Sequence, residues 1–177
     1  MLTRRPGNLK SLFSSHAYFL GVTPARAAST PSCSTIKVSA TQYPKGISLP
    51  CLDGRGSITY QAIRGPALVN VWGSWCEPCQ QEIPHLVKIA ATKKIAIVGV
   101  DVEERNMAAG RAFVASHKMS WPQLYDEKSV TRGIFGMGVP VTWFIDANGK
   151  VAYKQIGLFT SDDQIKSLVK KYLKITL

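Results

Sequence analysis

The sequence is short of acid. Against 22 Lys and Arg it has 11 Asp and Glu, a formal charge of +11 over 177 residues. Residues 1–47 hold Arg4, Arg5, Lys10, Arg26, Lys37 and Lys45 and not one carboxylate, so more than half of the excess precedes the region where folded patterning begins. No basic stripe is interleaved with aromatics, which argues against a nucleic-acid footprint. There is no apolar run of about 20 residues of the kind a membrane-spanning helix needs, and no internal repeat. Only four cysteines occur, Cys33, Cys51, Cys76 and Cys79, too few for a disulfide scaffold in a chain this long. One CxxC has no second CxxC to complete a zinc site, and His16, His85 and His117 show no ligand spacing. These shortages leave an ordinary globular chain, 45% hydrophobic, with enough apolar residues for one core.

What is present divides into three stretches. Residues 1–27 read as a signal peptide or membrane anchor: Arg4, Arg5 and Lys10 form a positive region, Leu12 to Val22 is mostly apolar, and Ala25-Arg26-Ala27 offers small residues before a cleavage point. A disordered basic tail is the alternative. Thr3-Arg4-Arg5 hints at a twin-arginine signal, and Thr30-Pro31-Ser32-Cys33 resembles a poor lipobox. Residues 28–45, rich in Ser, Thr and Pro, are expected as a flexible linker, with the folded domain over 46–177.

Within that domain the patterning predicts a short strand over Ser57 to Tyr60 and a buried strand over Ala67 to Trp72. A helix beginning just before Cys79 is expected to carry Ile83, Leu86, Val87 and Ala90 on one face, with Pro84 kinking it. Further strands are expected over Lys94 to Val102, Val139 to Ile145 and Val151 to Ile156, the last two joined by an Asn-Gly turn. Helices are expected over Asn106 to His117 and Ser161 to Leu173, the second with acids in its first turn. Asp101, Glu103, Glu104 and Arg105 read as a solvated rim. Strand, helix and strand, followed by helix, hairpin and helix, make an α/β sandwich around a central mixed β-sheet flanked by helices.

The chemistry is expected at Trp75-Cys76-Glu77-Pro78-Cys79, directly after the buried strand. There Cys76 falls at a helix N-terminus, where unpaired N–H groups stabilise a thiolate and leave the sulfur accessible. Cys79 lies one turn on and closes a disulfide with it, so Cys76 attacks and Cys79 resolves. Pro78 suits the first turn because its missing N–H costs nothing there. Glu77 opposes ionisation of Cys76, which favours the disulfide and hence a reductant; the alternative is that it only complements the helix dipole. Glu82, three residues past Cys79, is either a buried proton carrier for the thiols or a solvated helix residue. Pro140 stands at the mouth of a strand, where it either starts the strand or makes a special bend. Cys51 is an inert core residue, a partner of Cys33 or a participant in exchange.

Two segments, Val69 to Pro84 and Gly138 to Asp146 followed by Gly149-Lys150-Val151, resemble the two signatures of the ResA/TlpA-like thiol-disulfide oxidoreductases of the thioredoxin superfamily, in the same order. The similarity spans Leu49 to Leu173. It implies a thioredoxin-like sandwich with an N-terminal β extension and an insert after the second central strand. It also implies a cis-proline at Pro140 with Val139 offering its backbone to substrate, a substrate surface including Trp75, Glu77 and Pro78, and Glu82 as the buried active-site glutamate. The function so implied is a bacterial, extracytoplasmic reductant of protein disulfides, secreted, periplasmic or tethered to the membrane's outer face. Its substrates would include the CxxCH motif of apocytochrome c in cytochrome c maturation, and its electrons would come from a membrane donor of the CcdA/DsbD type. The expectation is a monomer with no metal and no cofactor beyond the Cys76–Cys79 disulfide. An oxidase or isomerase of secreted proteins is the main alternative. A copper-binding module lacks its third ligand, and a peroxidase fits a tight CxxC poorly.

Overall fold

The computed structural model describes residues 30–177 together with Met1. The expected signal peptide or anchor lies outside the described residues. No helix among them is long and apolar enough to cross a membrane.

The six residues Ala67–Trp72, all buried, form β3 at the centre of a five-stranded sheet. A hairpin of β1 (Ser48–Pro50) and β2 (Ser57–Thr59) precedes it. After β3 come α1 (Glu77–Ala91), β4 (Ala96–Val102), α2 (Met107–Ser116) and β5 (Gln123–Asp126). The chain ends with β6 (Val141–Ile145), β7 (Val151–Ile156) and α3 (Asp162–Leu173). The sheet order is β5-β4-β3-β6-β7. β4 lies parallel to β3 and β5, whereas β6 runs antiparallel to β3 and β7. All three helices pack on one face, where Leu68, Trp72 and Phe144 of the sheet meet Ile83, Leu86, Val114, Ile165 and Val169. On the other face Val69, Val71, Val98 and Val100 are covered by Cys33, Leu49, Cys51 and Phe135.

Local chemistry sets the element ends. Asn106 and Ser161 cap α2 and α3 through side-chain bonds from the N–H groups of Ala109 and Gln164. Asp162 and Asp163 open α3 and Lys170 and Lys171 close it, in the sense the helix dipole favours. Asp162 also accepts from His85 of α1 at 2.5 Å and from Lys88 at 3.0 Å, which holds its carboxyl below the usual range and ties α3 to α1. Each of Ile83, Leu86 and Ile89, which α1 buries almost completely, contributes roughly 1.5–3 kcal/mol.

Three expectations change. Residues 30–45 do not behave as a free linker. Cys33–Thr35 make a 3-10 turn, Cys33 and Ile36 are buried, Val38 bridges to Ile63, and the Lys37 carbonyl accepts from Arg64 N–H. Apolar residues three apart in a polar stretch supply that contact, and a Cys33–Cys51 disulfide, Cα–Cα 6.0 Å, fastens it. The solvated rim also fails at two positions. Asp101 is fully buried and Glu104 nearly so, because Gly110 of α2 packs over the Asp101 carboxyl and Glu104 folds back onto Ser74 N–H at 3.3 Å. Finally, β5 has no counterpart among the expected strands; its polar ends, Gln123 and Asp126, are buried and hydrogen-bonded.

Candidate active site

Past Trp72 the chain leaves the sheet, turns through Gly73-Ser74-Trp75 and enters α1 at Cys76. Gly73 O accepts from Cys76 N–H at 3.1 Å, and Gln80 reaches back to Ser74 O at 2.8 Å, which closes the turn. Gly73 sits too close to the Trp75 indole to carry a Cβ. Cys76 is the N-cap of α1 in an extended conformation, and its sulfur accepts from Cys79 N–H at 3.1 Å. That is a donor pointed at the place where thiolate charge would develop. Cys76 and Cys79 are joined, Cα–Cα 5.2 Å. Cys79 has no exposed surface and Cys76 is 4% exposed, so Cys76 is the sulfur nearer to an incoming partner. Pro78 lies in the first turn and Glu77 is exposed, its carboxylate accepting from Gln81 at 3.4 Å.

Glu82 is the fully buried residue one turn beyond Cys79 on α1. Asn70 of β3 donates to one of its oxygens at 2.7 Å and Phe159 N–H to the other at 3.0 Å. The same Asn70 amide donates to Thr142 of β6 at 3.0 Å. Burial pushes the Glu82 carboxyl up to about 7, against the opposing pull of the Phe159 and Asn70 bonds. The reading of Glu82 as a solvated helix residue is therefore set aside. Asn70 and Thr142 are the polar members that sequence reasoning passed over. An amide in the middle of the apolar run Ala67–Trp72 was the available signal, since a buried amide needs a partner.

The second signature meets the first across the sheet. Val141 pairs with Val71 and Thr142 with Asn70, which brings Pro140 level with the end of β3. The Val139–Pro140 peptide is cis, and so is Gly65–Pro66, which no sequence feature announced. A groove beside the disulfide is lined by Trp75, Glu103, Arg132, Phe135, Met137 and Val139. In it Trp75 is 55% and Met137 82% exposed. The structure thus gathers Trp75, Cys76, Glu77, Pro78, Cys79 and Glu82 at the start of α1 and sets Val139 and Pro140 at the facing strand end. Away from this end, Cys33, Cys51 and Asp53 bring ligand-type atoms within 4.8 Å of one another, but the two sulfurs there are bonded to each other.

Comparison with known proteins agrees with this arrangement. The AhpC/TSA family model matches residues 41–154. The chain is 28% identical over 153 residues to the thioredoxin-like protein YneN of Bacillus subtilis, covering 84% of this chain and 90% of that one. It is 34% identical over 129 residues to the thiol:disulfide interchange protein DsbE of Pseudomonas fluorescens, 71% of each chain. With the thiol-disulfide oxidoreductase ResA of Bacillus anthracis it shares 30% over 134 residues, 73% of this chain and 68% of the relative. Among solved structures, MTB DsbF in mixed oxidised and reduced forms superposes with a TM-score of 0.61 at 26% identity, over 72% of this chain and 95% of that one. Family model, relatives and fold converge on the segment that carries both signatures, so the chain belongs to the AhpC/TSA family and is a thioredoxin-like thiol-disulfide oxidoreductase of the ResA/DsbE type.

Proposed function

We propose that the chain works outside the cytoplasm as a reductant of protein disulfides, with the CxxCH cysteines of apocytochrome c as its favoured substrate. The observation that carries the reading is the pairing of an N-capping Cys76 with a buried acid one turn past Cys79. In the reduced protein the Cys76 thiolate attacks one sulfur of the substrate disulfide. A mixed disulfide forms, and the other substrate sulfur leaves as a thiolate and takes a proton. Glu82 accepts the proton of Cys79, whose thiolate attacks the Cys76 sulfur and releases the second substrate thiol. Two electrons pass to the substrate and the Cys76–Cys79 disulfide is restored. With a carboxyl near 7, Glu82 takes and returns that proton close to neutrality.

Trp75, Pro78 and Val139 form the apolar wall on which the substrate chain lies, and the backbone of Val139 beside Pro140 pairs with it. Glu77 supports the reducing direction, because a carboxylate beside Cys76 opposes its thiolate and stabilises the oxidised state relative to the reduced one. No metal or cofactor enters the cycle. Electrons return through a membrane donor of the CcdA/DsbD type.

The test is the reduction potential of the Cys76–Cys79 couple, equilibrated against dithiothreitol or glutathione. A value near or below about −270 mV supports the reductant, and reduction of a CxxCH peptide disulfide is then the substrate assay. A value near about −120 mV replaces this reading with an oxidant of secreted proteins.

A further inference from the structure

The two ends of the sheet carry different charge. α1 and α3 finish at the end opposite Cys76, where Lys94 Nζ reaches Thr176 O at 3.3 Å. Lys93 and Lys94 join α1 to β4 there, and Lys170, Lys171 and Lys174 close α3. Lys118 follows α2 at the same end. β6 runs antiparallel to β3, with Ile145 opposite Ala67, so the β6–β7 turn adds Lys150. Lys37 arrives from the N-terminal side, its carbonyl bonded to Arg64 N–H just before β3. All eight lysines are exposed. Asp146 is the one side-chain carboxylate at this end among the described residues, and its own turn occupies it, with Asn148 and Lys150 N–H groups at 2.9 and 2.8 Å. The redox end is mixed instead, with exposed Glu77, Glu103 and Glu127 against Arg105, Lys128 and Arg132.

We propose that the lysine end rests on an anionic lipid surface and holds Cys76 away from it. This goes beyond the redox reading and does not depend on it: the docked state turns Cys76 toward protein substrates, and the chain leaves the surface to meet a membrane donor. The chemistry distinguishes lipid from other polyanions. A protein partner is anchored by desolvated apolar or aromatic side chains, and within residues 30–177 the large exposed ones, Trp75, Val130, Met137 and Ile156, lie toward the redox end, leaving Val38 near the lysines. A nucleic-acid face pairs arginine with aromatic platforms. Arg64, the one arginine at this end among the described residues, lies over Tyr43 but is spent internally, on the Tyr43 hydroxyl and on the carbonyls of Gln61, Ala62 and Ile63. Dispersed lysine ammonium groups suit a layer of anionic headgroups, which needs neither a pocket nor loss of hydration. The sequence before the domain adds Arg4, Arg5, Lys10 and Arg26 with no carboxylate, and it enters the domain past Lys37, at this same end. α1 has 15 residues, which sets the disulfide about 22 Å above the surface, beyond the Debye length of about 8 Å.

The experiment uses the full chain and vesicles of phosphatidylcholine with or without about 30% phosphatidylglycerol, read by co-sedimentation. The variant K93Q/K94Q/K170Q/K171Q/K174Q is compared with K45Q/R55Q/R105Q/K128Q/K154Q, which has the same net charge, and far-UV circular dichroism confirms that both fold. The expected result is binding to the anionic vesicles alone, weakened at least about a hundred-fold in the first variant and less than about three-fold in the second. Equal losses would mean attraction by net charge alone, and an unaffected first variant would mean that the preceding basic segment carries the binding; either overturns the proposal, as does absence of binding. Orientation is read separately from the alkylation rate of Cys76 in the reduced protein. An unchanged rate on vesicles fits, and protection of Cys76 rules the orientation out.

Discussion

Two disulfides in one small domain have opposite settings. Cys76–Cys79 spans three positions at the mouth of a helix, with a backbone N–H aimed at the outer sulfur and a groove alongside. Cys33–Cys51 spans 18 positions, lies in the core on the far face of the sheet, and fastens the N-terminal segment where β1 meets β5. The buried acids divide in the same way. Glu82 accepts two hydrogen bonds below the first disulfide, whereas neither oxygen of Asp101 has a hydrogen-bond partner. Burial alone therefore does not mark the reacting group. What distinguishes Cys76 and Glu82 is a set of donors already aimed at the charge that the reaction would create.

The comparison breaks most sharply at the sulfurs. Cys76→Ser is expected to lower disulfide exchange at least about a thousand-fold, while the short loop it releases costs the smaller share of stability, about 2 kcal/mol in the chain-entropy account. Cys33→Ser with Cys51→Ser should do the reverse. Opening an 18-residue separation costs about 3 kcal/mol in the chain-entropy account, and exchange should stay within about two-fold. Denaturant unfolding and an insulin-reduction assay on the same preparations separate the two. If the double variant lost exchange in proportion to Cys76→Ser, the second disulfide would belong to the redox path and the contrast would collapse.

The sequence made one half of this contrast legible and hid the other. Cys76 and Cys79 are local: three residues and a helix start define them, and the strand before them is apolar throughout except for Asn70. The strands of β3, β4, β6 and β7 and the three helices follow from the same short-range periodicity. Cys33 with Cys51 is a nonlocal pairing inside a Ser- and Pro-rich stretch that carries its apolar residues singly. Asn70, Glu82 and Thr142 meet only once β3 lies between α1 and β6, and the Asn70–Thr142 bond joins residues 72 apart. Asp101 misled because Asp-x-Glu-Glu-Arg is the composition of a solvated loop. Its burial follows from α2 packing over that face of β4 and from Gly110, which has no Cβ and admits the carboxyl, a tertiary contact that a local window does not contain.

Glu82→Gln tests the first acid. The amide keeps the size of the side chain but cannot hold the proton of Cys79, so exchange at pH 7 should fall about ten-fold. With this carboxyl near 7, the pH profile of thiol alkylation is expected to show an inflection there in the wild type and none in the variant. An unchanged profile would make Glu82 a purely structural residue. Stability moves the other way. The folded carboxyl titrates near 7 against an ordinary value of 4.5, so the folded state holds the proton more tightly. Wild-type stability on this account is highest below about pH 4.5 and declines up to about pH 7, a loss on the order of 3 kcal/mol. The glutamine variant should lack that decline.

Asp101→Asn is the smallest change in rate and the cleanest separation of burial from chemistry. Burial, reinforced by the nearby Glu104, pushes the Asp101 carboxyl up to about 8, so at neutral pH it is held as the acid. It stands on β4 opposite Trp72, one strand away from the strand that leads into Cys76, and no hydrogen bond carries its proton toward the sulfurs. Its exchange rate and the alkylation profile of Cys76 should therefore match wild type within about two-fold. The sign of its stability effect follows the same linkage as at Glu82: the folded group keeps its proton through a range in which the unfolded group gives it up. Stability is thus lost between about pH 4 and pH 8 as pH rises, and the asparagine variant should flatten that slope. Chemical denaturation at pH 5 and pH 8 reads the difference directly. A flattened slope with an unmoved thiol profile would place the whole cost of this second acid in the fold, whereas a shifted thiol profile would mean that Asp101 acts on the sulfurs through Glu104 and the Ser74 turn that it caps.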